Sequence, residues 1–155
     1  MRRPAVLAVF AALLVAFLAA RIHAAAIYCS DGRVGEQIDE FLHQGLGLPR
    51  YDRLAIPGGP ACLSGSLATF LEGRALEDAL RFLIRVHDLR QVVLIAHDSC
   101  AYYRDRLAVP ESSVTTQQRQ DLETAARAVQ RLRDGLGVKR FLAHTTGARI
   151  RFEPL

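Results

Sequence analysis

The stretch VVLIAHDSC at residues 92–100 decides the fold of this chain. Its apolar first part follows a helical pattern at 67–89 and is typical of a buried strand in a parallel sheet. The apolar run ends abruptly at His97, and Cys100 follows three residues later. Because open α/β sheets place their chemistry at the carboxyl ends of their strands, His97 and Cys100 are the first candidate site residues.

A second apolar stretch, AAAIY at residues 24–28, leads directly into Cys29. If the two predicted strands lie side by side, Cys29, His97 and Cys100 converge. Three ligands of the type Cys₂His with a fourth position free are typical of a catalytic zinc site rather than a closed structural one. Thiolate sulfur and imidazole nitrogen both suit Zn²⁺. The alternative is that the cysteines are small apolar residues packed in the core.

The composition indicates one folded domain. The chain has 155 residues, of which 50% are hydrophobic, so it can bury a sizeable core and is not expected to be disordered. The net charge of +4 is modest, and no basic stripe with interleaved aromatic residues predicts a nucleic-acid partner. Three cysteines cannot all pair with one another, which favours metal binding over a disulfide framework.

Residues 1–21 are predicted to form a signal peptide or an N-terminal membrane anchor, and residues 22–155 the zinc domain. Two arginines precede an apolar run at residues 4–20, whose length is at the short limit for a membrane-spanning helix. Cleavage at the alanines 24–26 would remove most of the strand that leads to Cys29, so an uncleaved anchor fits better. We expect export or anchoring on the periplasmic side of a bacterium. A packed helix or a start codon assigned too far upstream would instead leave the protein in the cytoplasm.

Strands and helices alternate along the rest of the chain. Strands are expected at 22–28, 51–56, 91–96 and 138–143, with a last short strand at 147–152 that turns back on its neighbour. Helical patterns cover 34–46, 67–89 and 111–136, and a short helix is expected after Cys100. This alternation predicts an α/β fold with a mostly parallel central sheet and helices on both faces.

Asp31 and Arg33 follow Cys29 closely and are candidate catalytic residues. As a metal ligand, Asp31 would add negative charge and close the open position, but a bidentate pair with Arg33 would hold it away. Asp31 could then accept a hydrogen bond from zinc-bound hydroxide. Two thiolates neutralise the ion, so this zinc should acidify a bound water less than an all-histidine site does. The alternative for Asp31 and Arg33 is a turn-capping carboxylate and a solvated arginine.

Several residues near these motifs have two interpretations each. The loop PGGP at 57–60 either brings bare backbone close to the site or is an ordinary turn. Asp98 either holds a ligand in place or is exposed. Tyr102 and Tyr103 either line the substrate pocket or pack in the core. Cys62 is expected to be a packed thiol rather than a ligand.

The paired motifs, each after a hydrophobic strand, resemble those of the β-class carbonic anhydrases, especially their short and divergent branch. The motifs are Cys29-x-Asp31-x-Arg33 and His97-x-x-Cys100. The resemblance covers the chain beyond its N-terminal segment and implies a β-carbonic anhydrase-like fold that is usually dimeric. It implies that Cys29, His97 and Cys100 bind zinc and that Asp31 and Arg33 form the catalytic dyad. The implied enzyme is a zinc lyase that reversibly hydrates CO₂ to bicarbonate by zinc-bound hydroxide.

Two alternatives stay open at this point. The same scaffold could hydrolyse a CO₂-like molecule such as COS or CS₂, because pocket shape rather than metal chemistry separates these substrates. A zinc-binding protein that has lost turnover is the second alternative. The expected partners are the small-molecule substrate, a second copy in a homodimer and, through residues 4–20, a membrane.

Overall fold

The computed structural model describes residues 21–147 and 149–155 and confirms the α/β fold. Five strands form one sheet in the order β2-β1-β3-β4-β5. The strands are β1 (Ala24–Cys29), β2 (Asp52–Ile56), β3 (Gln91–His97), β4 (Gly137–Thr146) and β5 (Arg149–Pro154). The first four strands are parallel, and β5 runs antiparallel to β4, as the sequence predicted for the last strand.

Helices cover both faces of the sheet, which confirms the predicted layers. They are α1 (Gly35–Glu40), α2 (Phe70–His87) and α3 (Val114–Gln130). A π-helical turn extends α1, and short 3₁₀ turns precede α2 and α3. The short helix expected after Cys100 is a π-helical turn at Tyr102–Arg106. One face of the sheet packs against α1, and the opposite face packs against α2 and α3.

The third helix is shorter than the sequence predicted. The apolar spacing indicated helix over 111–136, but α3 ends at Gln130. Leu132 and Leu136 still pack against the hydrophobic core, although they do so from turns. Gly135 adopts a φ of 75°, which glycine tolerates and which lets the chain reverse into β4. The apolar spacing therefore correctly indicated that these side chains pack against the core, but it did not indicate that they lie in turns rather than in a helix.

The apolar sequence of the central strand β3 follows from its burial on both faces of the sheet. Val92, Leu94 and Ala96 face α2 and α3, whereas Val93 and Ile95 face α1. A strand buried on both faces has no solvent side, so polar alternation is absent. The parallel register pairs Tyr28 with Ile95, and as a result β1 and β3 end side by side. This register brings the residues that follow both strands to one edge of the sheet.

The predicted boundary at residues 21 and 22 is not tested by the structure. Apart from Arg21, the segment expected to be a signal peptide or anchor lies outside the described residues. Within residues 21–147 and 149–155, no helix combines the length and apolarity needed to span a bilayer. Export or anchoring through residues 4–20 therefore stays a prediction.

Candidate metal centre

The structure brings Cys29, His97 and Cys100 together at the carboxyl ends of β1 and β3. One sulfur or nitrogen donor atom from each of these buried residues lies within 4.8 Å of the other two. The two sulfur atoms are 3.9 Å apart. Tetrahedral zinc with Zn–S bonds of about 2.3 Å would separate two thiolates by about 3.8 Å. These side chains, called the three-donor group below, therefore have a spacing that suits a zinc ion.

The imidazole of His97 is oriented in a way that leaves one nitrogen available. Its Nδ1 lies 2.8 Å from the carbonyl oxygen of Asp98, an acceptor, so Nδ1 carries the hydrogen and donates it. Nε2 is buried and has no hydrogen-bond partner among the described residues. An unsatisfied buried polar atom costs about 1–3 kcal/mol. A metal ion beside the two sulfurs would satisfy Nε2, so the donor set fits zinc.

The two thiols of the three-donor group readily share one negative charge. A hydrogen bond from Cys100 lowers the pKa of Cys29 to about 4, while the same contact raises the pKa of Cys100 above its usual range. Burial alone would lower the pKa of His97, but the negative charge of the neighbouring Cys29 thiolate outweighs burial and raises it. A second thiolate requires a counter-charge, which a divalent cation would provide.

Arg33 holds the carboxylate of Asp31 in a two-point ion pair. Its Nε donates to Oδ1 at 3.0 Å, and its Nη2 donates to Oδ2 at 2.5 Å. The backbone N–H of Arg33 donates to Oδ1 as well, at 3.0 Å. These hydrogen bonds lower the pKa of Asp31 to about 2. Oδ2 lies 4.0 Å from His97 Nε2, so Asp31 is beside the three-donor group without hydrogen bonding to His97.

The glycine loop at 57–60 brings bare backbone against Cys29. Gly58 and Gly59 have φ values of 77° and 52°, a region that glycine occupies without strain. A Cβ on Gly59 would lie 2.7 Å from the backbone nitrogen of Cys29, which is closer than real Cβ contacts allow. Backbone hydrogen bonds from Gly58 and Asp31 also contribute to the low pKa of Cys29. The loop is therefore part of the site rather than a distant turn.

A network of buried polar side chains behind the site was not predicted from the sequence. Gln118 is fully buried, and its Nε2 donates to the carbonyl oxygen of His97 at 2.6 Å. On the same helix, buried Asp121 accepts hydrogen bonds from Gln117, at 2.9 Å, and from Tyr103. The available signal was that positions 118 and 121 interrupt the apolar face of α3 with polar side chains. Gln118 thus holds the strand end that presents the imidazole.

The structure decides which interpretation applies to each residue that had two. Asp98 is half-buried, and its Oδ2 accepts a hydrogen bond at 2.7 Å from the backbone N–H of Thr145, so it ties the loop to β4. Tyr102 lines the pocket described next, whereas Tyr103 is buried in the core. Cys62 is buried and does not belong to the three-donor group, as expected of a packed thiol.

A pocket of about 320 Å³ opens onto the two cysteines of the three-donor group and is called the site pocket below. Its lining residues are Cys29, Ser30, Asp31, Pro57, Cys100, Ala101, Tyr102, Asp105 and Arg106. The volume is at the lower end of the range for small-molecule sites. Proline, alanine and aromatic surfaces therefore lie beside the donors and the Asp31 carboxylate, which suits a small and largely apolar molecule.

Two relatives in Rickettsia match part of this sequence, and both are uncharacterized proteins. The protein from Rickettsia conorii is 29% identical over 66% of this chain and 52% of its own length. The protein from Rickettsia bellii is 27% identical over 61% of this chain and 56% of its own length. The chain thus spans about half the length of the curated relatives it matches.

The fold is shared with a solved β-carbonic anhydrase, isoform I of the protozoan Trichomonas vaginalis. The two structures superpose with a TM-score of 0.54 and 13% sequence identity, over 98% of this chain and 97% of that chain. At this identity the likeness shows the fold. A family model described as "Putative carbonic anhydrase" matches residues 19–146, which is most of the sequence. The chain therefore belongs to this family of carbonic anhydrase-like proteins.

Proposed function

We propose that this protein is a zinc enzyme that interconverts CO₂ and bicarbonate, with zinc held by Cys29, His97 and Cys100. The observation that carries the proposal is the buried Nε2 of His97, which lies beside two thiol sulfurs and has no partner within the described part of the chain. Membership of the carbonic anhydrase-like family supports it. When bound, zinc supplies the Lewis acidity that activates a water molecule as the nucleophile.

Asp31 is proposed to orient the attacking water rather than to take its proton. A carboxylate with a pKa of about 2 stays ionised at neutral pH, so it is a constant hydrogen-bond acceptor but a weak base. The two-point pair with Arg33 fixes the direction of its oxygens and would keep Asp31 from acting as a further ligand of a bound metal. Such fixed orientation lowers the barrier to attack because the water does not have to reorganise.

The test combines metal analysis with stopped-flow CO₂ hydration on one sample of the full chain. We expect one zinc per chain and hydration that rises from pH 7 to pH 9. Cys100→Ser is the matched inactive variant, because a ligand is lost with little change in shape, and Cys62→Ser is its control. A protein that binds no zinc would overturn the proposal.

The same experiment separates the two alternatives. Stoichiometric zinc without CO₂ hydration at both pH values would favour a non-catalytic zinc protein. Hydrolysis of COS or CS₂ without CO₂ hydration would favour the hydrolase, since the donors would be unchanged and only the pocket would differ. Either result would support the proposed metal site but contradict the proposed CO₂ hydration.

A homodimer is proposed as the working assembly. Strand β2 is at one edge of the sheet. Leu67, in the 3₁₀ turn before α2, is 93% exposed, and Leu71, in the first turn of α2, is 76% exposed. Exposed apolar patches of this kind are typical of protein interfaces. Analytical ultracentrifugation tests this point, and a monomer at micromolar concentration would contradict it.

A further inference from the structure

Tyr102 stands between two cavities of this protein. One is the site pocket, and the other is an apolar groove of about 400 Å³ between β2 and α2. Residues such as Leu54, Ile56 and Leu76 line this groove. Tyr102 and Pro57 line both cavities, so these two residues separate one cavity from the other.

The ring of Tyr102 is held in place from more than one side. It lies directly on Gly58, where an added Cβ would be 2.3 Å from the ring, so the glycine is needed for this position. Its hydroxyl oxygen is 3.8 Å from the Cys62 thiol, which can donate to it, and it also contacts Arg106 through a hydrogen bond. The wall is therefore fixed in position.

We propose that Tyr102 is the specificity-determining residue of the site and limits its ligands to small molecules without a bulky substituent. This inference rests on the proposed metal site and names the class of molecule it accepts: compact molecules of three or four heavy atoms, such as CO₂ and bicarbonate. Removing the ring joins the site pocket to the apolar groove. The joined space admits an aromatic ring beside the three-donor group, and the surroundings of that ring are aliphatic side chains.

The test uses the full chain loaded with Co²⁺, whose visible spectrum reports ligands that bind the metal. Imidazole and 4-phenylimidazole are titrated against the wild-type protein, Tyr102→Ala and Tyr102→Phe. We expect Tyr102→Ala to improve binding of 4-phenylimidazole relative to imidazole by about 10-fold, the usual scale for apolar size discrimination. Tyr102→Phe keeps the ring and should keep the wild-type ratio of the two affinities.

A double variant separates joined cavities from general loosening. Ala79 lines the groove, so Tyr102→Ala with Ala79→Leu refills the space that the phenyl ring would enter. We expect it to restore the wild-type ratio, and its added volume also offsets the cavity if the single variant folds poorly. Tyr102→Val serves as a further variant with a smaller cavity.

Three outcomes would overturn the inference: an unchanged ratio in Tyr102→Ala, an equal gain in Tyr102→Phe, or no reversal in the double variant. Any of them, in a protein that binds Co²⁺ and hydrates CO₂ with zinc, would leave the proposed function intact. Failure of the wild-type chain to bind Co²⁺ at all would instead overturn the proposed metal site and the inference with it.

Discussion

Two clusters in this protein each combine a carboxylate, an arginine and a histidine. The site cluster, at the carboxyl ends of β1 and β3, consists of Asp31, Arg33 and His97. The edge cluster, where α3 meets the β4–β5 pair, consists of Arg119, His144 and Glu153. In both clusters, hydrogen bonds from the arginine lower the pKa of the carboxyl group to about 2. Residue types and charge alone therefore do not distinguish the two.

The histidines make the difference. His144 is partly exposed, and its Nε2 lies 2.7 Å from Glu153, so that nitrogen already has a partner. His97 is 2% exposed, and its Nε2 has no hydrogen-bond partner among the described residues. Exposed ion pairs contribute little to stability. A buried nitrogen without a hydrogen-bond partner costs free energy, and binding a metal ion can remove that cost. The comparison teaches that a buried imidazole nitrogen without a partner among the described residues, next to two thiol sulfurs, marks the candidate site.

The largest effect should come from removing each histidine in turn. His97→Ala deletes a proposed ligand and should weaken zinc binding by more than about 100-fold, beyond the usual effect of residues that only support ligands. His144→Ala should retain one zinc per chain, because its imidazole serves an ion pair. Metal analysis after dialysis against a weak chelator measures both. Equal zinc retention in the two variants would contradict the proposal that only the site cluster binds metal.

The carboxylates provide the second test. Asp31→Asn should keep zinc but reduce CO₂ hydration by about 100-fold or more, on the scale of positioned catalytic groups. Glu153→Gln is the matched change in the edge cluster and should leave turnover unchanged. Stopped-flow rates are compared at equal zinc content. Full turnover in Asp31→Asn would remove Asp31 from the mechanism.

A smaller effect is expected from the buried side chain of Gln118, which supports His97. Gln118→Leu removes the hydrogen bond to the His97 carbonyl and should lower zinc affinity by about 10-fold, as losses of supporting hydrogen bonds do. Gln120→Leu, at an exposed position of the same helix, is its control. Competition with a chromophoric chelator measures the affinities. If both variants bind zinc like the wild type, Gln118 has only a packing role.

The smallest effect concerns acid stability of the edge cluster. The pKa of Glu153 falls from 4.5 to about 2 on folding, so its contribution is complete above the unfolded value and is lost as pH falls towards 2. The wild-type protein should therefore lose stability between pH 5 and pH 2 slightly more steeply than Glu153→Gln. Urea unfolding at several pH values measures the slopes. Identical slopes would show that solvent screens the pair completely.

Much of the fold was predictable because buried positions in strands and helices are occupied by apolar residues at characteristic spacings. The continuous apolar run at 92–96 identified a strand covered on both faces, and the structure confirms it. The end of α3 was wrong by six residues because Leu132 and Leu136 keep the helical spacing while packing from turns. Periodicity reports which side chains are buried, and it does so for helices and packed turns alike.

The sequence by itself predicted a candidate site and its place at strand ends: two cysteines and a histidine after apolar runs, with Asp31 and Arg33 close by. Only the tertiary structure decided that His97 Nε2 has no partner among residues 21–147 and 149–155, that Gln118 holds the strand end, and that Tyr102 lies between two cavities. Gln118 lies 21 residues from His97, and Tyr102 lies 40 residues from Cys62. Contacts between such distant segments depend on how the layers pack, and no local pattern of residues records them.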